Sequence, residues 1–191
     1  MWVWLSALAF GLSHSLLTES VCRRFSGLSA TTYRLSYSLL ATALTGLWLW
    51  LVHVLPDAPL YHASGIASLP LYALQIIGLS IILLSLRAFD AGVFLGFKPM
   101  PDSGEGFVES GIYRHMRHPM YSGFMLLLLA SPVQSMNSLH LSLAVCAYFL
   151  IGSRNEERRM LAIEPTYAAY LRRVPAFVPG ASLFRRASTP Q

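Results

Sequence analysis

Apolar and polar stretches alternate along the 191 residues, and the apolar runs predict helices. Met1 to Leu17 is apolar and aromatic, with Ser6, Ser13, His14 and Ser15 as its polar interruptions. A spanning helix needs roughly 17–25 residues, so this run is at the lower limit. Leu35 to Leu55 is the second run. It ends in Trp48, Trp50 and His53, as expected of an interfacial aromatic belt. Leu71 to Leu86 is the third and stops at Arg87, with Asp90 beyond. Met120 to Ala130 and Leu139 to Gly152 are the last two. A Ser131-Pro132 break separates them, and they predict a tight helical hairpin.

The segments between these runs carry turn chemistry. Pro56 to Pro70 reads as a loop, with three prolines and Gly65. Gly92 to His118 reads the same way, through Pro99, Pro101, Gly104 and Gly106. Pro119 suits the first turn of a helix, where a missing N–H costs nothing. Asn137 is the expected cap of the helix after the break. Arg154 to Arg173 predicts a separate amphipathic helix interrupted near Pro165, and the tail after Pro179 is basic. No internal repeat is visible. The expected fold is all-α: a polytopic integral membrane helical bundle of about five transmembrane helices. It forms one membrane domain, with a three-helix part over 1–86, a site-bearing part over 87–180 and a tail over 181–191.

Composition agrees with the pattern. The chain is 54% hydrophobic and 12% charged. A soluble domain carries about 25% charged residues. The N-terminus has no basic stretch before its apolar run, so the first helix is expected to be retained. Cys22 and Cys146 form neither a metal-ligand spacing nor a disulfide framework, and no metal site is expected.

The net charge of +5 raises nucleic acid as a partner, but its distribution points elsewhere. Arg23, Arg24 and Arg34 lie between the first two runs, and Arg87, Lys98, Arg114 and Arg117 between the third and fourth. Arg154, Arg158, Arg159, Arg172, Arg173, Arg185 and Arg186 follow the fifth, completing all fourteen Lys and Arg. With five spans every basic segment falls on one side, which the positive-inside rule makes cytoplasmic. The surplus then reads as topology and contact with lipid headgroups, not as nucleic-acid binding.

Two polar clusters bracket the last hairpin. One runs from Gly111 to Gly123 and holds Tyr113, Arg117, His118, Pro119 and Tyr121. The other is Arg154-Asn155-Glu156-Glu157-Arg158-Arg159. Arg, His and Glu beside a bilayer are costly unless paired or used. Arg158, Arg159, Arg172 and Arg173 are read as snorkelling interfacial residues neutralised by nearby carboxylates. His118 and Tyr121 with Glu156 and Glu157 fit a cytoplasmic binding site, because the hairpin returns one cluster to the other.

The motifs Gly111-x-Tyr113-x-x-x-Arg117-His118-Pro119-x-Tyr121-x-Gly123, Glu156-Glu157-x-x-x-Leu161, Tyr167-x-x-Tyr170 and Val174-Pro175-x-x-x-Pro179 occur in this order. They resemble the C-terminal half of the membrane methyltransferases, the group of isoprenylcysteine carboxyl methyltransferase and the phospholipid methyltransferases. The likeness covers roughly residues 87 to 180. Ile163-Glu164-Pro165 departs from it, where the family usually has Phe-Gly before the paired tyrosines. The front half, Gly11-x-x-His14-Ser15-Leu16 through Tyr33-Arg34-x-x-Tyr37-Ser38, resembles the NnrU-like branch. The whole arrangement is similar to that of bacterial methanethiol S-methyltransferases.

The resemblance implies S-adenosylmethionine as cofactor and an acceptor that is a small thiol or a lipophilic, prenylated or lipid molecule. It places the chain in a bacterial cytoplasmic (inner) membrane, multi-pass, with its C-terminus cytoplasmic. Glu156 or Glu157 would hold the donor's ammonium, and Arg117, His118 or backbone donors at the start of a helix its carboxylate. Tyr113 and Tyr121 would pack on its flat or cationic faces, with Pro119 completing the cofactor-binding set. His14, Arg34 and Arg87 are the candidate catalytic residues on the acceptor side. Arg87 and Asp90 are spaced to pair with each other. Two other readings stand beside this one. One is a heme-binding NnrU-like isomerase with His14 and His118 as ligands, and the other is a non-catalytic membrane binding protein.

Overall fold

The computed structural model describes residues 2–17, 25–99 and 107–179. Within them are seven α-helices: α1 (Trp2–Leu17), α2 (Ala30–Val54), α3 (Leu69–Leu86), α4 (Ala91–Leu95), α5 (Pro119–Leu129), α6 (Met136–Ile163) and α7 (Tyr167–Arg173). Two short strands, β1 (Pro59–His62) and β2 (Val133–Ser135), and two 3-10 turns, Gly65–Ser68 and Gly111–Arg114, complete the described elements. The protein is mostly helical. Three helical stretches, Ala30–Val54, Gly65–Leu86 and Met136–Ile163, are long and apolar enough to cross a membrane, and α1 and α5 are shorter apolar helices. Many of their large apolar side chains remain exposed, among them Leu39, Trp50, Ile76 and Leu83. An apolar helix that leaves such a surface uncovered is built for lipid rather than water. The Cys22-Arg23-Arg24 segment, Pro101 to Gly106 and the tail after Pro179 lie outside the described residues.

Contacts divide the chain into two units. The first comprises Met1–Ala63, Phe89–Gly104 and Pro132–Tyr148. Its core gathers Val3, Trp48 and Val52. Phe10 stacks on Trp48 at 4.6 Å, and the Trp48 indole N–H donates to Ser6 Oγ at 3.0 Å. This satisfies the one polar group of an otherwise apolar contact. Ser29 caps α2 by accepting the Thr32 N–H. Gly96 ends α4 at φ 86°, and a Cβ there would lie 2.5 Å from the Leu35 nitrogen. Both its conformation and this close approach require glycine.

The sequence expectations differ from this unit in four places, the first being that helix α4 falls where the Gly92–His118 stretch reads as a loop. The Pro56–Pro70 segment, read as a loop, and the residues after the Ser131-Pro132 break pair in part as antiparallel β1 and β2, with Pro59 opposite Ser135 and His62 opposite Val133. Asn137 does not cap its own helix. Its Nδ2 donates to the Leu55 and Pro56 carbonyls beyond the end of α2, at 3.3 and 3.2 Å. The start of α6 is held by Ser135 and Ser138, each hydroxyl accepting the other's backbone N–H. Asp90 does not pair with Arg87. It binds Lys98 Nζ at 2.9 Å and caps α4 through the Gly92 and Val93 N–H groups.

The second unit comprises Ser64–Ala88, Glu105–Ser131 and Phe149–Gln191. Its frame is the contact of α3 with α5. A Cβ on Gly78 would lie 2.8 Å from the Gly123 carbonyl oxygen, and one on Gly123 would lie 2.6 Å from that of Gly78. Small residues facing each other let two membrane helices approach backbone to backbone. Gln75 Nε2 donates to the Leu127 carbonyl at 3.1 Å along the same contact. Pro119 opens α5 as its sequence position predicts. A second core joins Tyr167, Tyr170 and Val174 with Phe107, Met160 and Leu171. Helix α6 runs unbroken through Arg154–Arg159 to Ile163, so the basic cluster continues the last apolar helix. The break falls at Glu164–Thr166, around Pro165.

Candidate functional site

The candidate site lies in the second unit, where the Arg117-His118-Pro119 turn meets the C-terminal half of α6. His118 precedes α5 as its N-cap residue, and its side chain makes no capping hydrogen bond to the helix start. Its Nε2 lies 2.8 Å from Glu157 Oε1. The same carboxylate oxygen accepts from Arg117 Nε at 2.8 Å. Two cationic-type donors converging on one oxygen fix the carboxylate's orientation. Arg117 Nη1 also donates to the Leu171 carbonyl at 3.0 Å and to the Val174 carbonyl. The Arg117 and Glu157 side chains are 11% and 16% exposed and His118 is 6% exposed. The trio is therefore an internal clamp.

The chain after α7 closes this clamp from the other side. The Arg117 and His118 backbone N–H groups donate to the Pro175 and Ala176 carbonyls, each at 2.9 Å. Ser122 Oγ donates to the Phe177 carbonyl at 2.8 Å. The Tyr170 hydroxyl donates to the Tyr113 carbonyl at 2.7 Å, tying α7 to the 3-10 turn before the motif. The Val174-Pro175 motif thus supplies backbone acceptors to the Arg117-His118 motif.

Flat rings line the site. The His118 imidazole stacks on Tyr121 at 5.5 Å with 4° between planes, and Tyr121 stacks on Phe149 at 4.6 Å with 7°. The Tyr121 hydroxyl donates to Glu156 Oε2 at 3.2 Å. Glu156 differs from its neighbour: it is 54% exposed and lies 3.8 Å from His118 Nδ1, beyond hydrogen-bond reach. Of the paired carboxylates, Glu157 is engaged internally and Glu156 is open. Tyr113 is buried, and that burial pushes its hydroxyl up to about 12; the Glu156 charge adds to the shift and a hydrogen bond with Ser85 opposes it. It stays protonated through the physiological range.

All seven cofactor-side candidates, Tyr113, Arg117, His118, Pro119, Tyr121, Glu156 and Glu157, fall in this one unit. Arg87 falls in the same unit, exposed at the C-terminal end of α3. His14 and Arg34 belong to the first unit. There His14 Nδ1 lies 2.7 Å from the Tyr37 hydroxyl, and Arg34 Nη1 donates to the Val93 carbonyl at 2.8 Å. Sequence reasoning missed Phe149 and Ser85. Phe149 reads as one more apolar residue of its run, and Ser85 as a polar gap in another. Neither has a local signal, since each is selected by a partner distant in sequence. Among the described residues, no group of three or more His, Cys, Asp or Glu is placed to hold a metal ion.

Residues 66–162 match the isoprenylcysteine carboxyl methyltransferase family. The chain is 31% identical over 190 residues to methanethiol S-methyltransferase 2 of Bradyrhizobium diazoefficiens, covering 94% of this chain and 72% of that protein. It is 26% identical to the methanethiol S-methyltransferase of Mycobacterium tuberculosis, over 89% of this chain and 74% of the relative. It is also 26% identical to that of Crocosphaera subtropica, over 89% and 71%. No solved structure gives a significant match.

Proposed function

Because the chain belongs to the isoprenylcysteine carboxyl methyltransferase family, we propose that it transfers the methyl group of S-adenosylmethionine to a small thiol at a membrane surface. That it is a membrane methyltransferase follows from the family. The donor, the acceptor and the residue roles are our reading. The observation that carries the donor site is the pairing of one internal carboxylate with one open carboxylate beside stacked rings.

The side chains present fit such a donor. Glu156 offers an accessible carboxylate to an ammonium group, beside the partly exposed ring of Tyr121. Tyr113 and Pro119 complete the surroundings. Arg117 and Glu157 act by position: they hold the His118 ring parallel to Tyr121 and anchor the chain that follows α7. When bound there, S-adenosylmethionine supplies an electrophilic methyl group on a cationic sulfur. What the protein contributes to such an in-line displacement is alignment and exclusion of water.

The names of the relatives favour a small thiol over a prenylated or lipid acceptor. His14 and Arg34 are assigned to the acceptor side. The three long apolar helices and two shorter ones support five spans, and the basic segments then face the cytoplasm of a bacterial inner membrane.

Incubation of the purified protein with methyl-labelled S-adenosylmethionine and a panel of acceptors tests the reading. A small alkyl thiol should be labelled ahead of a prenylated cysteine or a phospholipid. Labelling of only the lipid acceptors would overturn the thiol assignment. His118→Ala and Glu157→Ala variants that still fold should lose donor binding; unchanged binding would sink the site. A heme Soret band in the purified protein, together with no methyl transfer, would favour the isomerase reading.

A further inference from the structure

The second unit holds a recess of which the sequence reading uses only Arg87. It encloses about 460 Å³ and is lined by Leu84, Arg87 and Ala88 at the end of α3 and by Ser110, Ile112 and His115 around the second 3-10 turn. Its lining is mostly apolar, with Arg87 and His115 as its two cationic-type groups. Both side chains are exposed, and among the described residues neither makes a hydrogen bond, ion pair or ring contact. Arg114, adjacent and exposed, adds a second guanidinium nearby, while Asp90, the nearest acidic residue in sequence to Arg87, is committed to Lys98 and to capping α4.

The recess also sits at a defined depth. Arg87 is the first residue after a stretch, Gly65–Leu86, long and apolar enough to cross a bilayer. Leu83, Leu84 and Leu86, in the turn before it, are exposed. A charge immediately beyond exposed leucines at the end of a spanning helix lies at headgroup level. Size also decides. A recess of this volume is in the range of pockets for ligands of many heavy atoms. A one-carbon thiol would fill little of it.

We propose that this recess binds the headgroup of an anionic membrane phospholipid, its phosphate between Arg87 and His115 and its first acyl carbons against Leu84 and Ile112. The inference rests on α3 crossing the membrane and reassigns Arg87 from the acceptor to the lipid. Its consequence is anchorage: a headgroup held there rests against the 3-10 turn that contains Tyr113, a residue of the candidate site.

The test uses the full chain reconstituted in phosphatidylcholine vesicles that contain phosphatidylglycerol. After extraction, native mass spectrometry counts the lipid retained, and calorimetry measures S-adenosylmethionine affinity on the same samples. The wild type should retain phosphatidylglycerol in preference to phosphatidylcholine. The double variant Arg87→Gln, His115→Gln should lower that retention about tenfold, and Arg87→Lys, which keeps the charge, should restore most of it when paired with the native His115. Donor affinity should stay within about twofold, because neither substituted side chain belongs to the donor-binding set. Equal retention of the two lipids, or retention unaffected by the double variant, would overturn the proposal. Loss of donor affinity with retention unchanged would make the recess part of the donor site. Retention abolished by inorganic phosphate in the buffer would make it a site for free phosphate. Either result would overturn the lipid assignment while leaving the methyltransferase reading intact.

Discussion

His118 and Arg117, adjacent in the chain, both donate to the same oxygen of Glu157, forty residues away from Arg117. One carboxylate therefore holds the turn before α5 against the far end of α6. Glu157→Ala leaves a guanidinium and an imidazole without their shared acceptor in a mostly buried setting. The expected cost is about 3 kcal/mol, read as a lower midpoint in thermal unfolding in detergent, with loss of donor binding. Glu157→Gln keeps one acceptor oxygen and should fall between wild type and Ala in both measurements. If the Gln variant is as damaged as Ala, charge rather than hydrogen-bond geometry holds the turn.

Glu156 makes the complementary case. Its carboxylate is more than half exposed, and among the described residues its one hydrogen bond is a long one from Tyr121. Glu156→Gln should leave the unfolding midpoint nearly unchanged. If the carboxylate meets the donor's ammonium, affinity should fall about tenfold or more, the worth of a hydrogen bond to a charged partner. A titration of the variant with S-adenosylmethionine reads this directly; wild-type affinity would remove Glu156 from the donor site and leave its exposure as simple solvation.

These two glutamates show what was legible in the sequence and what was not. The Arg117-His118-Pro119-x-Tyr121 and Glu156-Glu157 motifs, and the break at Pro165, could be read from residue type and spacing. The motifs do not say which of the paired carboxylates is internal. That depends on the carbonyls of Leu171 and Val174, which receive Arg117 and have no side-chain signature. Asn137 failed for a related reason: its preference for helix caps was correct, but the helix end it serves is that of α2, far away in sequence. The continuation of α6 through Arg154–Arg159 was hidden because its polarity changes where its backbone does not.

The Gly78–Gly123 contact predicts a sharp steric response. Gly78→Ala would place its Cβ 2.8 Å from the Gly123 carbonyl oxygen and 3.0 Å from the Leu127 nitrogen, both backbone atoms that move only with a helix. Overpacking of this kind costs about 1–3 kcal/mol. Gly46→Ala, with nothing within 4 Å of the added Cβ, is the control and should be neutral or slightly stabilising. Comparable melting points for Gly78→Ala and wild type would show that α3 and α5 do not pack this closely.

Alkaline pH supplies an independent measurement. Burial is the first cause pushing both Tyr113 and Tyr167 from 10.0 to about 12. An acid whose pKa is higher folded than unfolded binds more protons in the folded state between those values. Stability is therefore fully present below about 10 and is lost as pH rises towards about 12. Unfolding midpoints should be insensitive to these two tyrosines from neutral pH to about 9 and decline above 10. Tyr113→Phe should flatten part of that decline. A decline of the same slope in the variant would assign the alkaline loss to other groups.

The pair formed by His14 and Tyr37 separates structure from chemistry on the acceptor side. Each is a polar residue within an apolar helix, and the 2.7 Å contact between His14 Nδ1 and the Tyr37 hydroxyl could be no more than a link between α1 and α2. Such interhelical hydrogen bonds are worth about 0.6 kcal/mol on average. A linking role predicts that His14→Ala and Tyr37→Phe lower the unfolding midpoint slightly and equally, with turnover per folded enzyme unchanged. A thiol must lose its proton to become a strong nucleophile. An acceptor-side role therefore predicts that His14→Ala lowers kcat, most of all at acidic pH where the free thiolate is scarce, while S-adenosylmethionine affinity stays at the wild-type value. Single-turnover methyl transfer to a small thiol across a pH series, on variants matched for folded fraction, decides between them. A uniform loss at every pH, tracking stability alone, would return His14 to the helix contact.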